Sequence, residues 1–281
     1  MDQIEAYFAD MPTVHRAAVL FGGLAIFFII ENTIPLFKNF YNKTTHTATN
    51  VFFTLTTVAV NFVMAFILVA AALWVEKYNF GILNWIGADP LIASTFGLMM
   101  MDFSGAWLPH YIEHKIKWMW QFHVIHHTDQ NVDTTTANRH HPGESVIRFL
   151  FTTAAVFVVG APMWLIFLYQ TASVVLTQFN HSNLNMPSFL DKLLRIVFCT
   201  PNMHRIHHHY RQPYSDTNFG NIFSFWDRIF GTFVIIDNTK LVYGVDTYMD
   251  KKEASNIISL LKIPFIGYRD PIVYDNEDSI E

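Results

Sequence analysis

From Val51 to Val75 the chain carries no charged side chain, and apart from threonines and one asparagine every residue is apolar or small. That length exceeds the roughly 20 residues a helix needs to cross hydrocarbon. In lipid the backbone must satisfy its own hydrogen bonds, so the stretch reads as a spanning helix. Two further spans are expected. One runs from about Ala17 to Phe37, with Glu31 and Pro35 near its end; the other runs from Leu91 to Leu108 and encloses Asp102. A fourth apolar run, Val146 to Phe179, is too long for one ordinary span and is interrupted by Gly160-Ala161-Pro162. It reads as two short helices in a membrane hairpin, or one tilted helix with a kink. Charged residues make up 15% of the chain, well under the roughly 25% of a soluble domain. The expected fold is therefore all-α, a polytopic membrane helical protein with three N-terminal spans plus a membrane hairpin. A cytoplasmic, helical, histidine-rich cap completes it. Residues 1–109 form the first region, 110–236 the second, including the hairpin at 146–180, and 237–281 a cytoplasmic C-terminal tail.

Short sequence cues refine this picture. The acidic N-terminus lacks the basic region of a cleaved signal peptide, so the first apolar segment is expected to stay. After Asn180 nothing is long and apolar enough to cross a bilayer. Ile222 to Phe230 suits a short surface helix, Lys251 to Lys262 an amphipathic one, and Asp275 to Glu281 a solvated acidic tail. Lys38, Lys43, Lys115, Lys117, Arg139, Arg148, Lys192, Arg195, Arg205, Arg211 and Arg228 would share one membrane face, leaving Arg16 and Lys77 on the other. The positive-inside rule puts the first set in the cytoplasm, in a bacterial inner membrane or endoplasmic reticulum. With no basic stripe, nucleic acid is excluded as a partner. Cys199 stands alone and reads as a small buried residue.

Fourteen histidines are the chemical anomaly. His110 and His114 stand one helical turn apart, and His123, His126 and His127 follow in H-x-x-H-H spacing. Downstream come His140-His141-Pro142, the single His181, and a second H-x-x-H-H at His204, His207 and His208. Two such copies brought face to face can surround two metal ions. Nine imidazoles, from His110, His114, His123, His126, His127, His181, His204, His207 and His208, give each ion four or five nitrogens and leave a position for oxygen. Imidazole suits zinc, copper, iron and nickel alike, so spacing alone does not choose the metal. The expectation depends on the hairpin: were Val146 to Phe179 to cross the bilayer once, the later histidines would be separated from the earlier ones. Isolated histidines such as His15 and His46 read as surface or capping residues. Asp102 is a candidate to orient a ligating imidazole by accepting its second N–H.

Between Asp102 and Thr232 the chain resembles the membrane fatty acid hydroxylase and sterol desaturase superfamily. The resemblance rests on Asp102-Phe103, His110-x-x-x-His114, Trp120-Gln-Phe-His123-Val-Ile-His126-His127, Thr136-Ala-Asn-Arg139-His-His141-Pro142, Asn180-His181-Ser-Asn183, Pro201-Asn-Met-His204-Arg205-Ile-His207-His208, Asp216-Thr-Asn218-Phe-Gly220 and Trp226-Asp227-Arg-Ile-Phe230-Gly231-Thr232. It implies a non-haem di-iron centre that activates O2 to hydroxylate or desaturate a lipid such as a sterol, acyl chain or alkylglycerol. It assigns two Fe ions to the nine histidines and places His141, Arg139, Asn180 and Asp227 near or behind them, with His141 either binding metal or hydrogen-bonding a ligand. Tyr111 departs from the pattern, which often has arginine there, and His209 is an extra histidine not counted as a ligand. Each turnover needs two electrons, and no haem, flavin or iron–sulfur motif is present. A separate donor is therefore expected, a ferredoxin or a cytochrome b5-like protein with its reductase, with Arg205, Arg211 and Arg228 as docking residues or lipid-headgroup contacts. Competing readings are a membrane metal-binding or transport protein and a zinc metallopeptidase using His110-x-x-Glu113-His114. Neither accounts for all the clusters together. His141-Pro142-Gly143 is similar to a haem-binding loop of cytochrome b5, but Glu144 breaks that pattern.

Overall fold

The computed structural model describes residues 2–38 and 41–272. Among these, the regular structure is helical; extended pairing is limited to isolated bridges such as Phe198 with Phe223. Helix α1 covers Thr13–Thr33, α2 Lys43–Tyr78, α3 Pro90–Lys115, α4 Lys117–His127, α5 Pro142–Val159, α6 Met163–His181, α7 Pro201–His207 and α8 Phe225–Ile229. Four helical stretches are long and apolar enough to cross a membrane: α1, α2 with its short extension to Trp85, α3 and α5. Their outer faces carry exposed Phe21, Ile26 and Ile29 on α1 and Phe62, Val63 and Phe66 on α2. An apolar surface this continuous marks contact with lipid.

The second span is longer than its apolar stretch. At 36 residues, α2 is about 54 Å long, well beyond the ~30 Å of a hydrocarbon core. Its surplus lies at the N-terminal end, where Asn42 caps Thr45 N and where Thr49, Asn50 and Thr54 are buried. That polar start packs against residues 129–139 and so braces the histidine region. The expected span ends shift accordingly.

The apolar run 146–179 divides where the sequence indicates. Helix α5 ends at Gly160, whose φ of +75° closes it in the left-handed region, and Pro162 opens α6. Gly81, with φ +94°, sits against this corner; a Cβ there would lie 2.3 Å from Gly160 N. The close approach thus needs glycine on both sides. Val156 and Val159 of α5 share one core with Leu165, Ile166 and Tyr169 of α6, with Leu68, Ala72 and Val75 of α2 and with Met101 of α3. Both outer ends of the hairpin return to one place: His140, before α5, and His181, ending α6, lie with ring centroids 4.8 and 4.9 Å from His126. Helix α6 is less apolar than its partner because Gln170, Gln178, Asn180 and His181 interrupt it.

A second core lies behind α4. Val124 and Ile125 face Phe53, Val245, Tyr248, Leu260 and Ile263, which leaves the opposite face to the histidines. Residues 241–263, within the expected tail, thereby form part of the folded body. The surface helix expected at 222–230 forms over Phe225–Ile229, and the one expected at 251–262 is broken at Asn256 into Lys251–Ser255 and Ile257–Lys262. The acidic stretch 275–281 lies outside the described residues.

Candidate metal centre

The last turns of α3 follow a π-helical turn at Phe103–Trp107 and carry His110 and His114. Single π turns occur often beside functional sites, because the extra residue re-aims those after it. The chain then extends for one residue, Ile116, before α4 brings His123, His126 and His127 alongside. Helix α6 ends on His181, and α7 supplies His204 and His207, with His208 as its C-cap.

These nine histidines gather in two groups. His110, His114, His123, His127 and His207 each offer a nitrogen within 4.8 Å of the others, and so do His126, His181, His204 and His208. The groups adjoin: the His127 and His208 rings are nearly parallel, with centroids 4.8 Å apart. Eight of these residues are buried, and the side chain of the ninth, His114, is 2% exposed.

The hydrogen bonds around each ring decide which nitrogen points inward. Nδ1–H of His110 donates to Phe219 O at 2.9 Å, that of His207 to Thr217 O at 2.7 Å and that of His181 to Thr177 O at 2.8 Å. His114 donates to Asp216 at 3.1 Å and His123 to Glu144 at 2.7 Å. Each of these five rings therefore turns an Nε2 lone pair toward its group. Nε2 of His110, His114 and His207 is buried without a hydrogen-bond partner. In the second group His181 Nε2 lies 3.1 Å from His126 Nε2 and 3.2 Å from His204 Nε2. Orphaned buried nitrogens are costly in an ordinary core; converging on one point, they are a ligand set. The protonation state also favours coordination. Burial, reinforced by neighbouring imidazoles, holds His126, His127, His204, His207 and His208 well below the ordinary histidine range. Burial brings His123 down to about 3 despite the opposing pull of Glu144. Neutral imidazole is the form that binds a metal. The donor set, nitrogen only and inward-facing, fits two adjacent cations of the transition series.

The residues expected behind the ligands divide. Asp227 accepts from Phe219 N at 2.8 Å, Gly220 N at 2.9 Å, Trp107 Nε1 at 3.0 Å and Thr232 Oγ1 at 2.7 Å. It thus holds the loop whose Phe219 carbonyl orients His110. Arg139, fully buried, donates to Ile125 O, Thr128 Oγ1, Asn50 Oδ1 and Ala254 O, and so fixes the end of α4 against α2. Asn180 donates to Asn221 O. Asp102 does not orient an imidazole: it accepts from the backbone of Ile222 and Phe223 and from Trp226 Nε1. His141 lies in neither group; its Nδ1 accepts from Gly143 N and caps α5. His209 accepts from Val242 N instead of joining the cluster. His46 is no surface residue, since it bridges Asp129 at 2.9 Å and Asp133 at 3.4 Å. Of the three arginines expected to dock a donor, Arg205 and Arg211 are buried, Arg205 against Pro201 O and Leu184 O, and Arg228 is exposed.

Four residues to which the sequence assigned no role belong to this site: Glu144 and Arg148, and also His140 and Asp216, which had stood only within the motifs. Glu113, the base a peptidase reading requires, is buried and ion-paired to Arg148 at 2.7 Å. The i, i+4 spacing of His140, Glu144 and Arg148 was the available signal.

Residues 94–232 match the profile of the fatty acid hydroxylase family. An ornithine lipid hydroxylase of Rhizobium tropici is 24% identical over 272 residues, which is 92% of this chain and 79% of that protein. The human alkylglycerol monooxygenase is 29% identical over 174 residues, 60% of this chain and 36% of the relative. A cholesterol 25-hydroxylase-like protein of Danio rerio is 27% identical over 125 residues, 44% of each. The chain thus spans most of the first relative and about a third of the second. No solved structure matches it.

Proposed function

We propose that this protein, whose residues 94–232 match the fatty acid hydroxylase family, is an integral-membrane, O2-dependent di-iron hydroxylase acting on an unactivated C–H bond of a membrane lipid. The observation that carries this reading is the division of nine histidines into adjoining groups of five and four, with the unpartnered Nε2 atoms of His110, His114 and His207 turned into the first. Bound there, iron supplies the activation of O2 by which one oxygen atom enters the substrate and the other leaves as water, at the cost of two electrons and two protons.

The chain's own part is to place and protect. All nine imidazoles are buried, so bulk water is kept from the centre. The start of α5 and the ends of α3 and α6 lie together at one end of the apolar bundle, which lets a hydrocarbon chain reach the histidines from the bilayer while its headgroup stays at the interface. Positioning of one carbon beside the centre is then the protein's main contribution. The relatives named for hydroxylation favour an alcohol over a double bond as the product. The basic residues near this end favour a cytoplasmic position under the positive-inside rule, and in this reading a ferredoxin or cytochrome b5-like donor supplies the electrons there, with exposed Arg228 as a contact for it.

Lipid profiling of cells with and without the gene tests the activity. A polar membrane lipid is expected to gain one oxygen atom, and to carry the heavy isotope when cells grow under labelled O2. An unchanged lipidome in cells holding metal-loaded protein would refute the reading.

A further inference from the structure

Beside the two histidine groups lies a third cluster, His123, His140 and Glu144, again with ligand atoms within 4.8 Å of one another. It is not a third metal site. Arg148 Nε lies 2.9 Å from Glu144 Oε1, and Nη2 of the same guanidinium lies 2.7 Å from Glu113 Oε2 and 3.5 Å from His123 Nδ1. A cation already occupies the place, and a second would be repelled.

We propose instead that Glu144 is a positioning residue that joins the two histidine groups and sets the electron density at the five-histidine site. This inference rests on the di-metal reading above. Oxygen Oε1 of Glu144 accepts from His123 Nδ1 at 2.7 Å and from His140 Nδ1 at 2.7 Å. His123 belongs to the five-histidine group. The His140 ring lies almost parallel to His126 of the other group, at 4.8 Å and 18°. One carboxylate therefore orients a ligand on one side by a hydrogen bond and braces a ligand on the other through a stacked ring.

The remaining anchors differ in kind. His110 and His207 donate to neutral carbonyls. Asp216, the partner of His114, has a side chain 22% exposed, whereas that of Glu144 is 0% exposed. Solvent screens the first charge and not the second, and Glu113, equally buried, stands farther from His123 Nδ1 at 3.8 Å, so Glu144 is the anion felt most strongly at the site. A carboxylate accepting the outer N–H of a ligating imidazole makes that imidazole a stronger donor and stabilises the oxidised metal. Arg148 keeps the buried charge paired.

Glu144→Gln retains the size and an acceptor oxygen but removes the charge. In iron-loaded, full-length protein it is expected to keep both metals while its midpoint potential, read by equilibrium titration with a chemical reductant, becomes more positive. A ten-fold change in the redox equilibrium corresponds to about 59 mV for a one-electron step. His140→Phe preserves the ring on His126 and frees Glu144 from one competing donor, so it is expected to shift the potential slightly the other way. It also serves as the test should the glutamine variant not fold. An unchanged potential in either metal-replete variant, or a positive shift in His140→Phe, would overturn the role of Glu144 alone. Wild-type protein that takes up no iron would instead overturn the di-metal reading.

Discussion

Asp227 illustrates how a residue that touches no histidine can still govern one. Its two carboxylate oxygens collect four donors from three parts of the chain, and the loop they hold presents the Phe219 carbonyl to His110. Asp227→Ala would leave two backbone N–H groups and an indole N–H buried without partners, each costing about 1–3 kcal/mol. The expected outcome is a loss of stability on the order of 3 kcal/mol or more, read as a lowered unfolding midpoint in detergent. A roughly 10–100-fold weaker hold on metal against a chelator should accompany it. Wild-type values for both would show that the loop orients His110 without this carboxylate. At this scale the sequence was legible where spacing is local. H-x-x-H-H declares its ligands because one helical turn sets their geometry. Asp102 misled because its acceptors' partners, the backbone N–H groups of Ile222 and Phe223, come from a loop 120 residues away that no local spacing announces. Glu144 was overlooked because His123, and Glu113 across Arg148, come to it only when α3, α4 and α5 pack together.

Among the helices, the hairpin of α5 and α6 does the organising. Gly160-Ala161-Pro162 announced the break through residue types that cannot continue a helix, and its consequence, the meeting of His140 and His181 on either side of His126, follows from two helices of similar length, 18 and 19 residues. The extension of α2 was less legible. Its first turns are rich in threonine and asparagine, which resemble a loop until Arg139 and Asp129 supply their partners. The proposed topology puts the C-terminal end of α2 and the segment after residue 250 on opposite sides of the membrane. Cys199 is buried and contributes little background, so introduced thiols can test this. Lys77→Cys is expected to react with an impermeant reagent on intact cells, and Lys251→Cys only after the membrane is opened. Labelling of both from one side would contradict the proposed topology.

Across the whole molecule, a lipid-facing bundle and a packed cap meet at a buried all-imidazole centre. The cap is held from outside by Phe53, Tyr248, Leu260 and Ile263, and from within by hydrogen bonds to the outer nitrogens of the ligands. Because α4 and α7 each contribute to both histidine groups, the two sites should fill and empty together. Metal analysis of the purified, full-length protein tests this most directly. About two irons per chain are expected, one for each histidine group, with both lost from His126→Ala in the four-histidine group and from His207→Ala in the five-histidine group. A single tightly held zinc, or iron content unaffected by either substitution, would contradict the account.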